Sequence, residues 1–208
     1  MAFKSLRSST IIILIVLLFG ILSPPGTVQA LGTSASPPEL PTLGTFVNRV
    51  KNGQADEVRG VYVPKLFAFP VLQQPAGDHG FVSPGKDSVT QFRLASRFGS
   101  TGLLAHNYLA GQEFFSLEKG TVLYLVYGDG RLLTFMVTDI LHYQALEPAS
   151  TASPFVRLQD DALLTASELF AEVYNRDGIV VLQTCLSREG NLSWGRLFVI
   201  AEPYSPAP

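Results

Sequence analysis

The sequence predicts a mainly β protein: an eight-stranded closed β-barrel with a short helix in the long connection before its last two strands. Three observations lead there. Apolar runs of strand length recur eight times between Gly, Pro and Asp punctuation. Gly128-Asp129-Gly130 joins two of them as a tight hairpin. Only Thr165 to Tyr174 carries a clear helical signature, with a Ser/Thr cap, Glu168 in the first turn, and Leu169, Phe170 and Val173 able to share one face. The chain of 208 residues shows no repeat of 20 to 50 residues and so reads as one domain. Its 47% hydrophobic against 15% charged residues excludes a disordered polyelectrolyte. A net charge of -2, evenly spread, excludes a nucleic-acid partner held by phosphate neutralisation.

At the N-terminus, Lys4 and Arg7 precede an apolar run from Ile11 to Leu22, then Ser23-Pro24-Pro25-Gly26 and Val28-Gln29-Ala30. This is the pattern of an export leader with a cleavage site after Ala30. Twelve helical residues reach roughly 18 Å, short of the roughly 30 Å hydrocarbon core of a bilayer. Residues 1–30 are therefore read as a signal peptide or, uncleaved, as a membrane anchor; either way the domain is extracytoplasmic, secreted or held at the cell envelope. Residues 31–43, rich in Ser and Pro, read as a spacer, and 203–208 as a Pro-rich tail that no strand continues into. The folded domain is expected from 44 to 202.

Its strands are expected at Gly60 to Val63, Leu66 to Val71, Val89 to Leu94, Gly102 to Ala105, Thr121 to Tyr127, Arg131 to Ile140, Ile179 to Cys185 and Arg196 to Ala201. The helix lies in a connection from Leu141 to Gly178, longer than packing alone requires, as functional connections often are.

Cys185 is the only cysteine, so no internal disulfide forms, and the paired His/Cys spacings of a structural zinc site are absent. Such a thiol is either inert filling or a nucleophile. If the connector between the last two strands closes as the shortest hairpin on Gly190-Asn191, Cys185 faces Arg196 directly. Cross-strand partners share a face, with Cα atoms about 4.5 to 5.5 Å apart, so the guanidinium reaches chemistry at the sulfur. Arg196 stays charged and offers several donors to an oxyanion; as a bland alternative it is a surface ion-pair residue.

A nucleophilic thiol needs a base. His106 follows the apolar segment 102–105 and precedes Asn107 at a strand end, where barrel rims carry functional side chains. His142, near Asp139, is the competitor, and His79 in Gly77-Asp78-His79-Gly80 reads as a turn residue. A cysteine and a histidine of ordinary pKa, about 8.5 and 6.5, leave the ion pair about 2.7 kcal/mol above the neutral pair. Attraction at about 5 Å and an effective dielectric of 20 returns about 3.3 kcal/mol, so proximity alone populates some thiolate.

Leu182-Gln183-Thr184-Cys185 resembles the Leu-x-Thr-Cys signature of the sortases, with Arg196 on the next strand and Ala105-His106-Asn107 upstream in the matching order. The likeness runs from about Val58 to Ala201; Val181 stands where the family usually has Thr, and Ala105 where Gly often precedes the histidine. It implies a sortase-type barrel and a cysteine transpeptidase. Cys185 would attack a sorting-signal peptide on a substrate protein and form a thioacyl enzyme, which an amine acceptor resolves. His106 would be acid and base, and Arg196 would steady substrate and oxyanion. Thr184, Asn107 and Trp194 would contact substrate, and the connection from Leu141 to Gly178 would border the groove. No cofactor is implied, and no carboxylate cluster before His106 suggests calcium. Two rival readings remain open: a secreted thiol peptidase or hydrolase, and a non-catalytic β-barrel that binds a partner through Tyr108, Phe114, Phe115 and Trp194. A transpeptidase with Gly immediately before its cysteine is disfavoured by Thr184.

Overall fold

The computed structural model describes residues 39–205. In chain order these form α1 (Leu43–Val50), β1 (Val58–Val63), β2 (Phe67–Gln73), β3 (Val89–Phe92), α2 (Arg93–Ser96), β4 (Thr101–Leu104) and a 3-10 segment (Ala110–Ser116). There follow β5 (Val122–Tyr127), β6 (Leu132–Ala145), β7 (Phe155–Arg157), β8 (Leu163–Leu164), α3 (Ala166–Tyr174), β9 (Val180–Arg188) and β10 (Asn191–Pro203).

Hydrogen bonding runs β10-β9-β4-β3-β2-β1-β5-β6, and β6 pairs back onto β10. Eight strands therefore close into a barrel, and they are the eight apolar runs of the sequence; β7 and β8 extend from the end of β6 outside it. Closure leaves those eight without a free edge. Two neighbours are parallel, β2 with β3 and β4 with β9. A parallel pair cannot be joined by a hairpin, so the chain leaves the barrel between each.

Alternation decides the faces. Val61 and Val63, Phe67, Phe69 and Val71, Leu123 and Leu125, Val180 and Leu182, and Leu197, Val199 and Ala201 recur every second residue and fill the interior. The residues between them point outward. On β6, β9 and β10 that outer face is itself apolar, because Tyr143, Val181, Phe198 and Ile200 are covered by Phe155, Leu164, Leu169, Val173 and Tyr174 from β7, β8 and α3. Thr165 caps α3 through a reciprocal box with Glu168, as its sequence suggested.

Several boundaries differ from expectation. The spacer does not reach residue 43: Leu40 and Leu43 pack with Phe46, Val50, Tyr62 and Val126, and the Tyr62 hydroxyl donates to the Pro41 carbonyl at 3.1 Å. Residues 43–50 form α1, capped by Thr42, where only one helix was expected; the apolar spacing of Leu43, Phe46, Val47 and Val50 carries that signal. Arg93 and Leu94 leave the sheet for α2. The connection after β6 begins at Leu146, not Leu141, and holds two short strands as well as the helix. β9 and β10 overrun their expected ends: main-chain pairing continues past the apolar runs to the turn, and at its other end β10 runs into the expected tail as far as Pro203, which pairs with Phe135 before the Tyr204 N–H donates to Thr134 O at 2.9 Å. Phe114 is buried in the barrel core, which removes it from any exposed binding surface, whereas Tyr108 and Phe115 are exposed. The leader at 1–30, most of the spacer and the last three residues of the tail lie outside the described residues. Among the described residues, no helix is long and apolar enough to cross a membrane.

Candidate active site

Cys185 and Arg196 are direct cross-strand partners on β9 and β10. Their neighbours Leu182, Leu197 and Val199 point inward, so both project from the outer face. The thiol is only partly covered, unlike an inert core cysteine.

The expected partner is correct, but the turn is not the expected one. The strands reverse at Glu189-Gly190, both at positive φ (51° and 83°), directly after the Arg188–Asn191 pair. That is the backbone of a two-residue hairpin, and glycine adopts it without steric cost. A bulge then restores the Cys185–Arg196 pairing: the single residue Ser187 faces Leu192, Ser193 and Trp194. Asn191 stabilises the bulge by accepting from the Ser193 N–H at 2.9 Å. The bulge turns its carbonyls toward functional side chains. Arg196 Nη1 donates to Ser193 O at 3.0 Å and to Gly195 O at 2.8 Å. Among the described residues Arg196 forms no ion pair with a carboxylate, so its charge is not cancelled locally.

His106 arrives from the other flank of β9. The parallel ladder pairs Leu103 with Leu182 and Leu104 with Gln183, and the Ala105 N–H donates to Gln183 O at 3.2 Å. The strand pairing ends at Leu104, so His106 enters the loop just past the end of β4, on the flank of β9 opposite β10. The His106 carbonyl accepts from the N–H groups of Leu109 and Gly111, each at 3.0 Å. Its imidazole stacks on Tyr108 with ring centroids 5.2 Å apart. Asn107 Nδ2 donates to Leu192 O at 2.9 Å, which ties the histidine loop to the bulge.

Thr184 does not serve as the expected substrate contact. Its side chain is buried, faces the barrel interior, and donates to the Ala105 carbonyl at 2.9 Å, so it holds the histidine loop against β9. Gly111 completes this lock. A Cβ there would lie 2.3 Å from Thr184 Oγ1 and 2.8 Å from the His106 carbonyl oxygen, closer than any side chain can approach.

The competing histidine is on the wrong side. His142 pairs with inward-facing Leu197, opposite the face of Cys185, and burial holds its imidazole below the ordinary histidine range. Asp139, three residues earlier on the strand, faces the other way and pairs with Lys119 at 2.9 Å, so no Cys-His-Asp set forms from these residues. His79 occupies an exposed turn, as expected. Trp194 lies half-buried in the bulge beneath the Arg188 guanidinium, 5.1 Å from its ring.

A cleft of about 290 Å³ borders this face, floored by Gln183, Arg196 and Phe198 and walled by Phe92, Phe155 and the α3 aromatics. The wall is bolted on by a polar cluster. Tyr143 donates to Glu172 at 2.8 Å, and Arg157 bridges Glu172 at 2.5 Å and Asp160 at 2.8 Å. Burial first, then the Glu172 hydrogen bond, pushes the Tyr143 phenol up to about 12, so it remains a neutral donor. A larger, more polar cleft of about 660 Å³ lies beside α1 and is edged by Tyr108, but it touches none of Cys185, His106 or Arg196. Of the two, only the smaller cleft reaches one of these three side chains, Arg196; Cys185 and His106 line neither. Sequence reading missed Gln183, Tyr174, Tyr143 and Gly111. Of these, Gln183 was legible, since a residue two before Cys185 on a strand shares its face.

No family model and no curated protein matches this chain. Among solved structures it is similar in fold to sortase C1 of Streptococcus suis, at 16% identity over 79% of each chain with a TM-score of 0.49. A similar likeness exists to sortase C-1 of Actinomyces oris, at 17% identity, 84% of this chain, 85% of that one and a TM-score of 0.49. Sortase C of Clostridium perfringens, solved with the C-terminal cell wall sorting motif, is 19% identical over 78% of this chain and 88% of its own, with a TM-score of 0.47.

Proposed function

We propose that this chain is a sortase-like cysteine transpeptidase that cleaves a sorting-signal peptide through a thioacyl enzyme and transfers it to an amine. The observation that carries this reading is the cross-strand pairing of Cys185 with Arg196 on the outer face of β9 and β10, and the position of His106 just past the end of β4, the strand on the other flank of β9, supports it. A thiol, an imidazole and a guanidinium in that order supply a nucleophile, a proton carrier and an oxyanion donor.

In the first step the Cys185 thiolate attacks the scissile carbonyl carbon, and Arg196 steadies the oxygen as it gains charge. The C–N bond breaks while the His106 imidazolium protonates the departing amine, leaving a thioester. In the second step an acceptor amine attacks that thioester and loses a proton to His106. The C–S bond breaks, the thiolate returns, and one peptide bond has been exchanged for another. The apolar N-terminal run agrees with this chemistry taking place at the cell envelope, with residues 1–30 as leader or anchor. Asn107, bonded to the bulge, and Trp194, within it, suit contact with the bound peptide.

Incubating the protein with a library of Leu-Pro-x-Thr-Gly-like peptides, with and without an added amine, tests the reading. Mass spectrometry should find an acyl adduct on Cys185 and an amine-capped product, both lost in Cys185→Ala. Hydrolysis at a rate indifferent to the amine would instead mark a thiol hydrolase. A thiol inert both to every peptide and to a mild alkylating reagent would mark a binding domain.

A further inference from the structure

Beside the rim lies a polar side chain that the mechanism above does not use. Gln183 is two residues before Cys185 on β9, shares its outward face, and floors the cleft together with Arg196. Its Oε1 accepts a short hydrogen bond, 2.5 Å, from the hydroxyl of Tyr174 on α3. That bond decides which way the amide points. Tyr174 is buried, and its ring is fixed by contacts with Phe92, Phe170 and Phe198. A buried hydroxyl needs an acceptor for its proton, and Gln183 Oε1 fills that need. Burial also pushes the Tyr174 phenol well above its ordinary range, so it keeps the proton it donates. With the oxygen engaged, the two N–H donors of Gln183 are left over; among the described residues they have no hydrogen-bond partner.

We infer that Gln183 is a substrate-orienting residue, whose amide, set oxygen-inward by Tyr174, receives a main-chain carbonyl of the bound peptide two residues from the scissile bond. The spacing follows from strand geometry: two residues along β9 cover about 6.6 Å, the same advance as two residues of an extended peptide. The carbonyl belongs to the acyl side. That part of the substrate stays bound through both transfer steps, whereas the other side must leave and be replaced, so an orienting contact on the acyl side serves both steps. The floor therefore presents donors only, Gln183 beside Arg196, toward the acceptor atoms of a peptide backbone. Tyr174 is the positioning residue, since it acts on substrate only through Gln183.

This inference rests on the transpeptidase reading, and its test separates the two. The probe is the library peptide that acylates Cys185 fastest, together with versions in which single amides are replaced by (E)-alkenes that cannot accept a hydrogen bond. Gln183→Leu and the isosteric Gln183→Glu should each lower kcat/KM for acylation about tenfold, and Tyr174→Phe about threefold. Thermal melting establishes that each variant is folded. The alkene two residues from the scissile carbonyl should slow the wild type about tenfold and Gln183→Leu hardly at all, because the interaction it removes is already missing. Equal sensitivity of wild type and Gln183→Leu to every alkene, or full activity in Gln183→Glu, would overturn the inference while leaving the transpeptidase intact. Failure of every peptide to acylate the wild type would overturn both.

Discussion

Asn107 Nδ2 and the Leu192 carbonyl, 2.9 Å apart across 85 residues of chain, join the loop that carries His106 to the bulge that precedes Arg196. One hydrogen bond thus couples the two flanks of Cys185. Asn107→Ala should lower kcat/KM for acylation by up to about tenfold, with a small effect on the melting temperature, since an exposed bond of this kind is worth about 1 kcal/mol. Single-turnover acylation followed beside thermal melting checks it; a large loss of stability with normal acylation in the folded fraction would contradict the coupling.

Arg196→Lys should fail despite keeping its charge. The guanidinium spends one nitrogen on the Ser193 and Gly195 carbonyls and has others left for substrate, whereas an ammonium held by the same carbonyls has no fork to extend. Loss of an oxyanion donor costs about 100-fold or more in rate, and the same peptide assay measures it.

Gly111→Ala should perturb both the fold and the site. The added methyl must displace the Thr184 hydroxyl and the His106 carbonyl, an overpacking that costs about 1 to 3 kcal/mol. Urea denaturation should register that loss, and acylation in the folded fraction should also fall because His106 moves. Wild-type stability in Gly111→Ala would show that the histidine loop is looser than this contact requires.

His142→Gln should leave acylation within about twofold of wild type, in contrast to His106→Ala. The same imidazole affects stability with acid. Its folded pKa lies below the unfolded value near 6.5, so folding favours the neutral form, and stability is lost as pH falls below about 6.5. His142→Gln should flatten that part of the stability profile measured by denaturant titration.

Alkali should loosen the cleft wall. The Tyr143 phenol is raised from 10 to about 12, so its contribution is complete below pH 10 and is lost as pH rises toward 12, when a phenolate would face the Glu172 carboxylate. Tyr143→Phe should reduce the fall in stability between pH 10 and 12; the buried Tyr174 phenol accounts for a share that Tyr143→Phe leaves in place.

Much of this molecule was legible along the chain. The eight apolar runs became the eight barrel strands, because a period of two is a local property that burial on one face imposes on any strand. The cap at Thr165 and the hairpin at 128–130 are likewise local. α1 was also readable, in the spacing of Leu43, Phe46, Val47 and Val50, but the preceding Ser/Pro composition hid it.

The Cys185–Arg196 pairing shows where such reading stops. The predicted partner was right, yet it rested on a Gly190-Asn191 turn that does not exist; the actual turn lies one residue earlier, and the Leu192–Trp194 bulge makes up the difference. A bulge forms because carbonyls inside it find donors in Arg196 and, 85 residues away, in Asn107, and no local pattern records that. By itself, the sequence determined the strands, the side each residue faces and the presence of one thiol, since these follow from alternation and count. Only the tertiary structure decided that His142 lies on the face opposite Cys185, that Thr184 turns inward, and that the Tyr174 hydroxyl bonds Gln183. Each of those depends on contacts between distant segments, whose register is set when the barrel closes.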